Sequence, residues 1–215
     1  MRALAALGAA SVLVLGIAPD APAFTKKQLL QHVQRQLQPK RTSLRNASRV
    51  MRAMALRSHT ARPQRASGHT VVLSALEAGI VARMNAQRTA RGLRPLRVSP
   101  GLTAAANYHC HQMGLFGFFE HESRNGTPFW RRIERFYPSG RNRYWSVGEN
   151  ILYESPDATA PSAVHDWMAS PPHRQNILTR EYREVGVAAV HFATAPGAFG
   201  GRPVTIVTAD FGVRR

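Results

Sequence analysis

Apolar side chains recur at helical spacing through Leu73, Leu76, Ile80 and Met84, which predicts a helix over about 71–90. Arg88 and Arg91 stand in its last turn and Gly92 follows, as a helix C-terminus favours. Leu102, Ala105, Ala106, His109 and Met113 mark a second helix. Ser99-Pro100 suits its N-cap and first turn, and Gly114 or Gly117 its end. Thr127-Pro128 opens a third helix, to about Phe136, and residues 160–169 make a fourth, ended by Pro171-Pro172. Residues 147–153 read as one strand; 185–192 and 204–211 read as paired strands joined by a Gly- and Pro-rich loop. Helices followed by antiparallel strands predict an α+β domain. On the first strand, Glu149 shares a face with Val147 and Ile151, so its carboxylate needs a partner.

The pattern changes before residue 71. Residues 1–23 read as a signal peptide: Arg2, an apolar run from Ala3 to Ala18, then Ala21-Pro22-Ala23 as a small-residue cleavage site. The run is shorter than the ~20 residues a spanning helix needs. Export and an extracellular, envelope-associated location are therefore expected. Residues 24–70 carry eleven Lys or Arg and no acid, whereas residues 71–215 carry seventeen Arg, no Lys and eleven acids. Much of the formal charge of +17 thus sits in one segment. Leu29, Leu30, Val33 and Leu37, then Leu44, Ala47, Val50, Met51 and Met54, fall at helical spacing there. Residues 24–70 read as a basic, partly helical or disordered arm. Its expected partner is an anionic cell-wall polymer or membrane surface. Nucleic acid fits the charge equally well, but export argues against it.

Cys110 is the one cysteine, so the chain forms no intramolecular disulfide. It lies between His109 and His111, but helix neighbours point about 100° apart and cannot converge on one ion. A buried small hydrophobe is the expected role of Cys110.

Three blocks carry candidate chemistry: Phe119-Glu120-His121-Glu122-Ser123, Gly148-Glu149-Asn150-Ile151 and Ser170-Pro171-Pro172-His173-Arg174. His121, Glu149 and His173 are a ligand set that zinc accepts. The same three groups could instead form a metal-free acid–base cluster.

The order of these blocks, with Arg91-Gly92-Leu93-Arg94-Pro95-Leu96, Gly126-Thr127-Pro128-Phe129, Trp145-Ser146-Val147, Trp167-Met168-Ala169 and Asp210-Phe211-Gly212, resembles the CAP superfamily. This is the cysteine-rich secretory, antigen five and pathogenesis-related group, in its bacterial extracellular SCP-like branch. The resemblance implies a three-layer α–β–α sandwich with a small antiparallel sheet over residues 71–213. It implies a cavity lined by His121, Glu149 and His173. Animal and plant members usually add a second Glu; here Met168-Ala169-Ser170 follow Trp167 instead. Those members also rely on disulfides. A divalent metal such as zinc is the cofactor the cavity would take.

Two functions fit. One is an envelope binding or interaction module whose cavity holds an unidentified ligand or a metal. The other is a hydrolase acting on peptide or cell-wall substrates through metal-activated water or a His–Glu pair. There is no Gly-x-Ser-x-Gly and no His-Glu-x-x-His, so the module is favoured.

Overall fold

A computed structural model describes residues 71–215. The leader, the basic arm and its two helical patterns lie outside the described residues. The elements run α1 (Ala75–Thr89), β1 (Arg97–Val98), α2 (Pro100–Phe116), α3 (Phe129–Glu134), β2 (Trp145–Glu154), α4 (Ala160–Ala169), α5 (Pro171–Leu178), β3 (Glu184–Phe192), a 3-10 turn (Gly197–Phe199) and β4 (Val204–Arg214).

Local chemistry sets most boundaries. Ser74 and Glu77 form a capping box that starts α1. Pro100 occupies the first turn of α2, where its missing N–H costs nothing, but the Ser99 side chain makes no cap bond. Gly117, with φ 70°, closes α2 in the left-handed conformation. Pro171-Pro172 does more than end a helix. It also opens α5, since the first-turn N–H groups have no partner inside the helix anyway.

The sheet order is β1-β3-β4-β2. The three long strands pair antiparallel, while β1 adds a two-residue parallel bridge to β3. The sheet is therefore mixed rather than wholly antiparallel. A two-residue strand has too short a pattern to stand out in sequence.

Alternation along the strands divides the core into two layers. Val185 and Val187 of β3, with Val207, Ala209, Phe211 and Val213 of β4, pack against Ile80 and Met84 of α1, Trp167 of α4 and Ile177 of α5. The opposite face carries Ile151, Ala188, Val204 and Ile206, which pack against Ala106, Cys110 and Met113 of α2. Leu102 and Ala105 of α2 meet Ile133 and Tyr137 beyond them. The result is the expected α–β–α sandwich. Trp167 is 1% exposed, and its indole N–H donates to the Ile151 carbonyl. It is a packing residue, as is Trp145, whose N–H donates to the Tyr137 carbonyl.

Arg88 is fully buried and has no carboxylate partner among the described residues. Its guanidinium donates to the carbonyls of Arg94, Ile177, Thr179 and Tyr182. One side chain therefore satisfies carbonyls in three otherwise separate stretches of chain, two of them at the end of α5.

Gly186 marks the closest approach of sheet and helix. A Cβ there would stand 1.9 Å from the Thr103 backbone nitrogen and 2.0 Å from the Leu102 carbonyl carbon. Backbone of α2 cannot yield as a side chain can. Gly186→Ala is expected to destabilise the domain by more than the ~1 kcal/mol typical of point substitutions. Urea unfolding measures it, with an unchanged midpoint being the contrary result.

Candidate functional site

Glu149 lies mid-way along β2, an edge strand, on the face turned toward α2. Its side chain is 0% exposed. One oxygen, Oε1, accepts from His121 Nδ1 at 2.8 Å. The other, Oε2, accepts from Arg132 Nη2 of α3, which is itself 1% exposed. Arg132 also donates through Nη1 to the His121 carbonyl at 2.8 Å and to Ser123 Oγ at 3.4 Å. The guanidinium thus holds the carboxylate and the backbone of the loop that carries His121. That loop is tightened by Ser123 N–H to the Thr127 carbonyl and Gly126 N–H to the Ser123 carbonyl.

His121 is the member that reaches the surface, its side chain 42% exposed. With Nδ1–H given to Glu149, Nε2 is left for an incoming group. Phe129 flanks the ring at 6.2 Å between centroids. His173 comes from the other layer, on α5. Its imidazole is half-buried, and burial followed by the nearby His121 lowers its pKa. Two asparagines tie its backbone to β2. Asn150 donates to the His173 carbonyl, and Asn176 donates to Asn150 Oδ1 and to the Glu149 carbonyl. Asn150 is thus engaged by the fold.

Of the three groups singled out in sequence, His121 and Glu149 are hydrogen-bonded, and His173 stands on α5 within electrostatic reach of His121. Among the described residues no three His, Cys, Asp or Glu side chains form a group that could hold a metal ion. Both Glu149 oxygens are already taken by protein donors, one of them a cation. As arranged, the residues do not fit a three-ligand metal site built on Glu149. They form an ion-pair cluster with one presented imidazole.

Three further groups complete the cluster. His109, on α2, is fully buried, as its helical position suggests, yet its Nε2 stands 4.0 Å from Glu149 Oε1. Nε2–H donates to the Glu120 carbonyl at 2.9 Å, so Nδ1 is unprotonated and has no partner. Burial outweighs the attraction of Glu149 and lowers the His109 pKa to about 4. Asp210 of β4 is directly opposite Glu149 in the strand register. It is fully buried, and neither oxygen has a hydrogen-bond donor. Burial, then the adjacent Glu149 charge, pushes its carboxyl well above the usual range. Two adjacent buried carboxyls cannot both ionise, so Asp210 keeps the proton. Cys110 completes the set: its Sγ contacts Thr208 Oγ1 at 3.2 Å, and burial pushes the thiol up to about 12. It is the inert, buried cysteine the sequence predicts.

Burial alone would also raise Glu149. The His121 hydrogen bond and then the Arg132 charge reverse that and hold it below the usual carboxylate range. Sequence reading missed Arg132, His109 and Asp210 as members. Asp210 stood inside a family-like block. The one further signal was the need of Glu149 for a cation on an apolar face.

A groove of about 580 Å³ runs between α1 and α4, lined by residues that include Arg83, Gln87, His165, Asp166 and Met168. It does not include the cluster.

A helical layer on each face of a small mixed sheet, with a His–Glu–Arg cluster at the sheet's edge strand, defines the class. The Cysteine-rich secretory protein family (CAP) pattern matches residues 81–208, and the chain belongs to that family. The chain is 34% identical over 119 residues to the uncharacterized protein YkwD of Bacillus subtilis (strain 168), across 55% of this chain and 44% of that protein. It is 30% identical over 111 residues to the uncharacterized membrane protein YlbC of the same organism, across 52% of this chain and 30% of that protein. The matched region therefore spans less than half the length of either relative. Among solved structures, an outer surface protein from Borrelia burgdorferi has the same fold, with a TM-score of 0.53 and 17% identity over 69% of this chain and 99% of its own.

Two pH effects of opposite sign follow. Glu149, depressed in the fold, contributes stability above its unfolded value of about 4.3, lost as pH falls through the folded value. Asp210 is raised in the fold, so its contribution is full below its unfolded value of about 3.9 and declines as pH climbs toward the folded value. Asp210→Asn preserves the shape of the neutral acid. It should be at least as stable as the parent at pH 7 and should lose that decline in urea midpoints taken from about pH 5 to pH 8. A loss of about 3–5 kcal/mol, the cost of breaking a buried pair, would mean that Asp210 is ionised in the fold.

Proposed function

We propose that the chain is an exported binding module of the cell envelope, with its ligand seat at His121 and His173 around strand β2. The carrying observation is the sealing of Glu149. Its oxygens are filled by His121 and Arg132 and its side chain is unexposed. A carboxylate so placed orients an imidazole and does not itself meet ligand or water. The surface then offers His121, with Phe129 beside it, and His173. This suits recognition of a polar group by hydrogen bonding.

The basic residues 24–70 would hold the protein to an anionic polymer or membrane surface. The family membership and the Borrelia outer surface protein of the same fold agree with an extracellular setting. A divalent metal remains compatible only with His121 and His173 acting without Glu149.

One observation favours the hydrolase alternative. An Nδ1–H held by a buried carboxylate is the arrangement that orients an imidazole as a general base. Against it stands the lack of a nucleophile beside His121. Ser123 is 6% exposed and bonded by Arg132, and Cys110 is buried and protonated.

The test uses the full chain with insoluble peptidoglycan and with an unfolded protein substrate. Co-sedimentation with peptidoglycan that drops on His121→Ala/His173→Ala, without release of soluble fragments, is the expected result. Turnover of either substrate that disappears in the same variant would replace the module with the hydrolase. In parallel, Glu149→Ala should cost about 3–5 kcal/mol by leaving Arg132 buried and unpaired. An unchanged melting curve would show that the carboxylate is solvated.

A further inference from the structure

Away from the His–Glu cluster, four arginines converge on two adjoining concavities. One, of about 270 Å³, is lined by Gly92, Leu93, Arg94, Arg180 and Arg183. The other, of about 440 Å³, is lined by Arg94, Pro95, Arg97 and Arg183. Arg94 and Arg183 belong to both, so the two hollows share their walls. No acidic residue lines either one. Among the described residues none of the four guanidiniums is paired with a carboxylate.

Two acids, Glu181 and Glu184, adjoin these arginines in the chain. Glu184 sits opposite Arg97 in the strand register, but it accepts the Tyr137 hydroxyl. Glu181 is exposed, and only its backbone carbonyl meets Arg183. Part of the lining is held in place. The Arg94 carbonyl is held by buried Arg88, and Arg183 Nη1 is bent back onto the carbonyls of Arg180, Glu181 and Tyr182. Arg183 makes itself felt on its neighbour too: after burial, its charge is what lowers the Arg88 pKa.

Backbone carbonyls engage part of Arg183, but no carboxylate among the described residues neutralises any of the four, so the cleft presents uncompensated positive charge. An anion would compensate it. All four are arginines, whose planar forks engage oxyanions with two parallel hydrogen bonds. Two hollows with common arginine walls fit two anionic groups in succession better than one isolated ion.

We propose that Arg94, Arg97, Arg180 and Arg183 form a binding site for a linear phosphate polymer, which lays consecutive phosphate groups in the two hollows. The site is separate from the His121–Glu149–His173 region and does not depend on the function proposed for it.

The test measures binding of the full chain to short-chain inorganic polyphosphate at 0.1 M salt. The basic arm is common to every variant, so differences between variants isolate the folded domain. Arg94→Gln/Arg97→Gln is expected to weaken binding at least tenfold and to flatten the salt dependence. Arg141→Gln/Arg143→Gln removes the same charge from the exposed 140–143 loop and should change affinity less than threefold. Arg94→Lys/Arg97→Lys keeps the charge but loses the fork, and should resemble the Gln variant. The substituted positions Arg94, Arg97, Arg141 and Arg143 are all exposed, and thermal melting is the check that the variants fold alike.

Equal losses in the two Gln pairs, or full binding by the Lys pair, would reduce the site to bulk charge and overturn the proposal. Polygalacturonate, a carboxylate polymer, binding as tightly as polyphosphate would overturn the assignment to phosphate.

Discussion

A carboxylate and a guanidinium, both removed from water, hold this site together. Either ion alone would be expensive to bury, and removing one would strand the other. Together they join β2, α3 and the loop from α2, because Arg132 grips Glu149 with one amino group and the His121 backbone with the other. The orientation of His121 is a consequence of that pair. So is the protonation of Asp210, which faces a charge already present across the strand. His109 is neutral for the same reason of burial, despite standing near a carboxylate. One net negative charge, one positive charge and several neutral titratable groups share a small volume.

Much of the fold was legible because its signals are periodic or local. The 3.6-residue rows at Ile80 and Met84, and at Leu102, Ala106 and Met113, face the sheet as expected. The strands announced themselves by apolar runs, and Gly117 ended its helix through a backbone conformation that glycine favours. α5 was lost because Pro171-Pro172 signals both a stop and a start, and the stop alone was read. β1 was lost because two residues carry no period.

The site was legible in its three family-like blocks and not in its completion. Glu149 needed a partner, and sequence pointed to the histidines. Arg132 drew no role, since burial of a long charged chain leaves no mark in composition. His109 sat on the buried face of its helix, and nothing in that placement reveals which strand residue lies above it. Asp210 lies far beyond Glu149 in the chain, and only antiparallel pairing makes them neighbours. Cross-sheet register is the information that a single sequence lacks.

Arg88 carries a consequence of another kind. It binds the chain at Arg94, Ile177, Thr179 and Tyr182 by hydrogen bonds alone. With a single buried cysteine, this domain has no internal bond for an oxidant to make or a reductant to cut. Its maturation needs no disulfide catalyst and leaves no scrambled isomers to be sorted. The same folded state is available on either side of a membrane, whatever the thiol balance there.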